Sequence, residues 1–233
     1  MSKARNIDVL LFDVNETLLD ITTLEPFFLR VFNDSSVLRN WFAELVLYSQ
    51  AITISGLYEP FGSLAVGTLH MVGANHHVSI SEDDVKEFKT LLTNLPPHSD
   101  VIPALERLKA AGFRLATLTN SAPTPSPTLL EKAGIDHFFE HQFSVDTVRT
   151  FKPHPTTYHH AAQELGVDLN RICLVACHLW DTIGAQAAGC SGAFITRPNN
   201  NVLMAGNVPQ PNFIAEDIMD LADQLIAVKK TQP

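Results

Sequence analysis

Asp13 ends the apolar run "VLLFD", and Thr17 stands four positions after it. Thr119, Asn120 and Ser121 close a second run, "RLATLTNS", while His178 and Asp181 follow a third, "ICLVACH". Lys152 lies in "TFKPHPTTY", a loop stiffened by two prolines. A carboxylate held near a lysine ammonium and hydroxyl or amide donors is oriented and kept ionised, as a nucleophile must be. Taken singly, each residue has an ordinary reading. An Asp after an apolar run is a turn residue or a helix cap, Lys152 is a solvated loop lysine, and a strand-end histidine such as His178 is a hydrogen-bonder as readily as a participant. The ordered set raises all of them together.

Positioning such a set requires strands that end at a common edge. Val9–Asp13, Arg114–Ser121 and Ile172–His178 are short, continuously apolar and bounded by polar turns, the pattern of strands buried on both faces of a parallel sheet, and "GAFITR" (Gly192–Arg197) reads as a further strand. Between them, Val101–Gly112 has helical spacing with a glycine stop, and Pro155–Gly166 opens on proline and closes on glycine. The alternation predicts an α/β, doubly wound parallel sheet, whose ligands bind at the carboxyl ends of the strands. Residues 21–97 break the alternation with helical periodicity, as in "LEPFFLRVF" and "SEDDVKEFKTLL", the latter capped at Ser81 and Glu82. This predicts a helical cap domain (21–97) inserted after the first strand, with "NLPPHSD" as the hinge back to a core of residues 1–20 and 98–233. The tail after Arg197 reads as a turn-rich surface loop followed by a final helix over Ala215–Lys229.

The chain has 233 residues, 45% hydrophobic and 18% charged, enough for a sizeable core without staples. A net charge of −9 with scattered basic residues disfavours nucleic acid and anionic membrane as partners. No apolar run approaches the ~20 residues of a membrane span. The three cysteines, Cys173, Cys177 and Cys190, form neither a CxxC pair nor a zinc pattern, so they read as buried thiols in a reducing compartment. "IDVLLFD" is too short for a leader core, and the expected location is cytoplasmic. The paired histidines of Asn75–His77 and Tyr158–His160 lack a third ligand and read as surface.

The order hydrophobic-Asp, hydrophobic-Thr, Lys, acid resembles the haloacid dehalogenase superfamily over the whole chain, including the place of the helical insert. Within it the chain is similar to the type II 2-haloacid dehalogenases, whose DxxxT, [ST]N, KPxPxxY and xxWDxxGA patterns correspond here to Asp13–Thr17, Thr119 with Asn120, Lys152–Tyr158 and Leu179–Ala185. The resemblance implies hydrolysis of a short 2-haloalkanoate anion to the 2-hydroxy acid. Asp13 would displace halide and form an ester. Lys152 would keep Asp13 ionised, with Thr17 and Thr119 as donors, and Asp181 would hold Lys152 and position the hydrolytic water. It further implies that Asn120 cradles the halide, that Phe61, Tyr158 and Trp180 wall the pocket, that neither metal nor other cofactor is needed, and that the protein dimerises through the cap.

Asn15 bears on the choice of reaction. A phosphatase of this superfamily needs an acid two residues after the nucleophile, to protonate a leaving alkoxide; an amide cannot do this, and halide leaves without a proton. The chain also departs from the dehalogenase pattern. Phe42 stands where the family has the arginine that engages substrate carboxylate and halide, and Ala176 and His178 replace a serine and an asparagine. Arg30 or Arg39 is the candidate replacement for that arginine, and His178 a possible cation at acidic pH. A metal-dependent phosphatase with an atypical site and a binding protein that has lost activity stay open as other readings.

Overall fold

The computed structural model describes residues 6–123 and 126–230. The outer ends of the expected core ranges, and the first residues of the stretch read for a leader, lie outside them. The strands form one parallel sheet in the order β3-β2-β1-β4-β5-β6. They are β1 (Val9–Phe12), β2 (Arg114–Thr119), β3 (His141–Ser144), β4 (Ile172–Ala176), β5 (Ser191–Ile195) and β6 (Phe213–Ala215). β1, β4 and β5 are buried along their whole length, because helices cover both faces; hence their continuous apolar runs. The chain builds outward from β1 through β2 to β3, then starts again at β4 on the other side of β1. That reversal opens a crevice beyond the carboxyl ends of β1 and β4.

β3 and β6 were not expected from the sequence. Both are short edge strands, exposed over part of their length, so neither carries the apolar continuity of a central strand. Because Phe213–Ala215 pairs with β5, the last helix, α9, runs over Ile218–Lys230 rather than from Ala215. The expected stops hold. α5 (Val101–Ala110) ends just before Gly112, at φ +78°, and α7 (Pro155–Leu165) ends on Gly166 at φ +66°, a left-handed conformation that favours glycine. Helices α6 (Leu129–Lys132) and α8 (Leu179–Ala188) complete the layer around the sheet.

Between β1 and β2 lie α1 (Glu25–Phe32), α2 (Val37–Ile54), α3 (Phe61–Asn75) and α4 (Glu82–Leu92). The long apolar stretch in this region splits into α2 and α3 at Gly56, φ +70°, and Pro60. These helices share an aromatic nucleus in which Trp41 lies 5.0 Å from Phe88 and 5.7 Å from Phe28, with its indole N–H bonded to the Ala65 carbonyl at 3.0 Å. The acid that reciprocates the Ser81 cap of α4 is Asp84, not Glu82. Residues 94–100 return beside residues 18–20: Asp20 N–H donates to the Pro96 carbonyl (2.8 Å) and His98 N–H to the Leu18 carbonyl (3.0 Å). Among the described residues no helix is long and apolar enough to cross a membrane.

Candidate active site

Four strand ends deliver the chemistry to the crevice. β1 is prolonged by Asp13, whose N–H donates to the Val175 carbonyl of β4 at 3.0 Å. The loop after β3 brings in Lys152, anchored through its backbone N–H to Asn120 Oδ1 at 3.0 Å, beyond the end of β2. Asp181 enters from the first turn of α8, after β4. Lys152 is 1% exposed and Asp181 0%, so these charges must satisfy one another. The Lys152 ammonium donates all three protons: to Asp13 Oδ1 (2.8 Å), to Asp181 Oδ2 (2.6 Å) and to the Leu118 carbonyl (2.8 Å). Asp181 Oδ1 accepts from the Tyr158 hydroxyl at 2.6 Å.

The second oxygen of Asp13 is held as tightly. Thr17 Oγ1 donates to Oδ2 at 2.7 Å while accepting the Cys177 N–H at 3.0 Å, so the hydroxyl's single proton is directed at the carboxylate. His178 Nδ1 lies 3.0 Å from the same oxygen. Burial alone would raise the Asp13 pKa, but Lys152 and His178 hold it well below the ordinary carboxylate range. Burial also opposes a charged Lys152, yet Asp13 and Asp181 raise its pKa. Asp181 is displaced upward, by burial and by the nearby Asp13 charge.

On its other side His178 meets Glu16, with Nε2 2.8 Å from Oε2. Burial works against an imidazolium, but the Cys177 sulfur and the two carboxylates outweigh it, and the His178 pKa lies well above the ordinary value. The carboxylates carry most of this effect, because burial keeps the Cys177 thiol protonated. Glu16, 2% exposed, is gripped in turn by Arg39 from α2 and by Asn200 Nδ2 at 3.0 Å. The His178 ring lies 5.1 Å from Trp180, nearly parallel at 12°, and 5.3 Å from Phe42. Glu16, Cys177 and His178 bring metal-type donor atoms within 4.8 Å of one another. The nitrogens of His178 face Asp13 and Glu16, and Glu16 is also committed to Arg39 and Asn200, so this is a hydrogen-bonded chain rather than an ion cradle.

Beside this cluster, at the seam between insert and sheet, lies a largely apolar cavity of about 630 Å³. Asn15, Ser121 and Ala122 floor it, and Trp41, Phe42, Leu45 and Phe61 line its other side. Asn15 Nδ2 donates to Ser121 Oγ at 3.1 Å.

Of the site residues expected from sequence, Asp13, Thr17, Lys152, His178 and Asp181 are brought into direct contact, and Asn15, Phe42 and Phe61 line the cavity. Others sit differently. Tyr158 does not wall the pocket; it is fully buried beneath Asp181 and braces it. Trp180 faces His178, and lies 5.9 Å from the Lys152 ammonium rather than in the cavity wall. Thr119 Oγ1 accepts the Ser121 N–H and makes no bond to Asp13 among the described residues. Asp181 holds Lys152, as expected, with its side chain turned into the core. Arg30 pairs with Asp84 and Glu87 on the surface of the insert, while Arg39 reaches the site but is engaged by Glu16. Glu16 itself was missed, although an acid three residues after Asp13 in the same loop was a visible signal.

A parallel sheet with a nucleophile-type aspartate at its switch point, bound to a buried lysine, defines a hydrolase of the α/β class. A profile of the haloacid dehalogenase-like hydrolases matches residues 7–189, and the chain belongs to that family. It is 27% identical over 228 residues to haloacetate dehalogenase H-2 of Moraxella sp. (strain B), covering 96% of this chain and 100% of that one. It is 27% identical over 200 residues to (S)-2-haloacid dehalogenase 2 of Pseudomonas sp. (strain CBS-3), covering 85% of this chain and 87% of that one. The fold matches L-2-haloacid dehalogenase of Xanthobacter autotrophicus, solved with chloropropionic acid covalently bound, with a TM-score of 0.83 at 22% identity over 94% of this chain and 98% of that one.

Proposed function

We propose that this protein is a hydrolytic dehalogenase that converts a 2-haloalkanoate to the 2-hydroxy acid through an ester on Asp13. The observation that carries the reading is the buried Asp13 carboxylate, kept ionised by Lys152 at 2.8 Å, with an amide rather than an acid at position 15. An Asp13 oxygen attacks C2 of the substrate and halide departs with the bonding pair. Oδ1 has one donor bound and Oδ2 two, so Oδ1 is the freer to attack. Water then attacks the ester carbonyl, where Thr17 stabilises the oxyanion developing on Oδ2 while Lys152 stays on the ester oxygen Oδ1. Asn120 Nδ2 is assigned to the halide. The relatives' names, haloacetate and (S)-2-haloacid dehalogenases, support the substrate class.

Turnover of 2-chloropropionate in ¹⁸O water, followed by peptide mass spectrometry, tests the reading. Label is expected in Asp13; active turnover without it sinks the mechanism. No metal or other cofactor is assigned, and halide release should be unchanged by EDTA. Residues 21–97 are assigned as the cap domain over a core of 1–20 and 98–233, closing the cavity from above. Leu47, Tyr48, Ile54 and Leu57 are exposed on and just beyond α2, which supports a homodimer through the cap. Burial of all three cysteines accords with a reducing, cytoplasmic location.

A further inference from the structure

Ester hydrolysis needs a base for the attacking water, and Asp181 is poorly placed to supply it. Both of its oxygens are bonded, to Lys152 and Tyr158, and the side chain has no exposure. His178 is the other titratable side chain bonded to Asp13 besides Lys152, which has no lone pair to offer while charged. Its ring is fixed between Phe42 and Trp180, and Glu16 holds its far nitrogen at 2.8 Å. Glu16 is kept for this contact at φ +67°, a backbone conformation costly for a residue with a side chain. Arg39 and Asn200 clamp the carboxylate from two other elements.

Resting on the dehalogenase reading above, we propose that His178 is the general base of ester hydrolysis, with Glu16 as its positioning residue. In the resting site the imidazolium is held by two carboxylates, Asp13 and Glu16. Cys177 lies beside it as a neutral thiol, with Lys152 beyond Asp13 and Arg39 beyond Glu16. Attack of Asp13 on C2 expels halide and turns one of these carboxylates into a neutral ester. The imidazolium loses half of its support and releases a proton to solvent, the one net proton of the reaction. Neutral His178 takes a proton from water at Nδ1 as the water oxygen bonds to Asp13 Cγ. The tetrahedral intermediate collapses, the bond to the substrate oxygen breaks, and the leaving alkoxide takes the proton from Nδ1. Asp13, left as the acid, returns its own proton to His178, which restores the resting pair.

The test is rapid-quench kinetics with 2-chloropropionate, following halide and the intact-mass adduct in wild type, His178→Asn and Glu16→Gln. Far-UV circular dichroism and melting first verify that the variants are folded. His178→Asn should release one equivalent of halide and then stall as the ester, with hydrolysis slower by about 10²-fold or more. In wild type, ester decay should accelerate as pH rises through the His178 titration. Glu16→Gln removes the anion that favours the imidazolium, so that acid limb should move to lower pH, which a purely structural role would not produce. Wild-type turnover without ¹⁸O in Asp13, or no halide release at all, would mean that the dehalogenase reading itself has failed. Wild-type turnover through labelled Asp13, combined with normal ester decay in His178→Asn, overturns the base assignment alone. So does decay that slows with rising pH, or a limb that does not move in Glu16→Gln.

Discussion

At Lys152, a single ammonium balances two buried carboxylates that would otherwise repel each other. Lys152→Met is expected to destabilise the protein by about 3–5 kcal/mol at pH 7, because it leaves Asp181 buried without a counter-charge and facing an Asp13 that keeps only His178. Urea denaturation across pH measures this. The Asp13 pKa is depressed from 3.8, so its pairing contributes stability that is complete above that value and is lost as pH falls through the folded pKa. The Lys152 pKa is raised from 10.5, so its contribution is complete below that value and is lost as pH rises through the folded one. The gap between wild type and variant should therefore be widest between these limits. It should narrow on acidification, where the orphaned carboxylates take up protons. Asp13→Asn, which keeps the shape but removes the nucleophile, should lower halide release by on the order of 10⁴-fold or more, read with a halide electrode.

Two elements decide how accurately the charges meet. Helix α8 passes so close to the Lys152 loop that a Cβ on Gly184 would lie 2.6 Å from the Pro153 carbonyl oxygen and 2.9 Å from the Tyr158 hydroxyl. Gly184→Ala must therefore push the lysine loop or Tyr158 away. The expected result is a loss of about 1–3 kcal/mol in chemical denaturation, with a fall in kcat greater than the change in KM. Helix α2 sets the other boundary, where Phe42 lines the cavity and packs on His178. Phe42→Arg should lower KM for a two- or three-carbon 2-haloacid by adding a cation for its carboxylate. The same change places that cation beside the His178 ring, disfavours the imidazolium, and should shift the acid limb of activity to lower pH. Steady-state kinetics on a chain-length series across pH reads both effects.

For the molecule as a whole, one exposed apolar group, Leu47, Tyr48, Ile54 and Leu57, lies on and beside the insert's second helix, with Ile54 at 86% and Leu57 at 62% exposure. If this face joins two copies, Ile54→Glu combined with Leu57→Glu should convert dimer to monomer in light scattering while leaving the core's melting temperature close to wild type. Within the core, Arg197 braces the two points where the chain leaves for the insert and returns from it. It donates to the Thr17 carbonyl at 3.0 Å and forms a paired contact with Asp100 at 2.8 and 3.0 Å, tying the loop after β1 to the start of α5.

How much of this was legible depended on what each residue's signal rests on. The central strands were readable because full burial forces continuous apolar runs, and the stops at Gly112 and Gly166 because left-handed backbone favours glycine. The edge strands at His141 and Phe213 were not, since partial exposure leaves no pattern. Asp13, Thr17, Lys152 and Asp181 were found because the order of their loops along the chain maps directly onto strand ends of a parallel sheet. Tyr158 and Trp180 were named but misplaced, because the face an aromatic side chain presents depends on packing, not on spacing. Sequence by itself determined the central strands, the helices that follow the first strand, the carboxylate at that strand's end and the absence of an acid at Asn15, since these follow from local periodicity and residue type. Only the tertiary structure decided that Arg39, His178 and Asn200, the last 184 positions from Glu16, converge on Glu16. A buried charge takes its partners from whichever elements pack around it, and no local pattern records that choice.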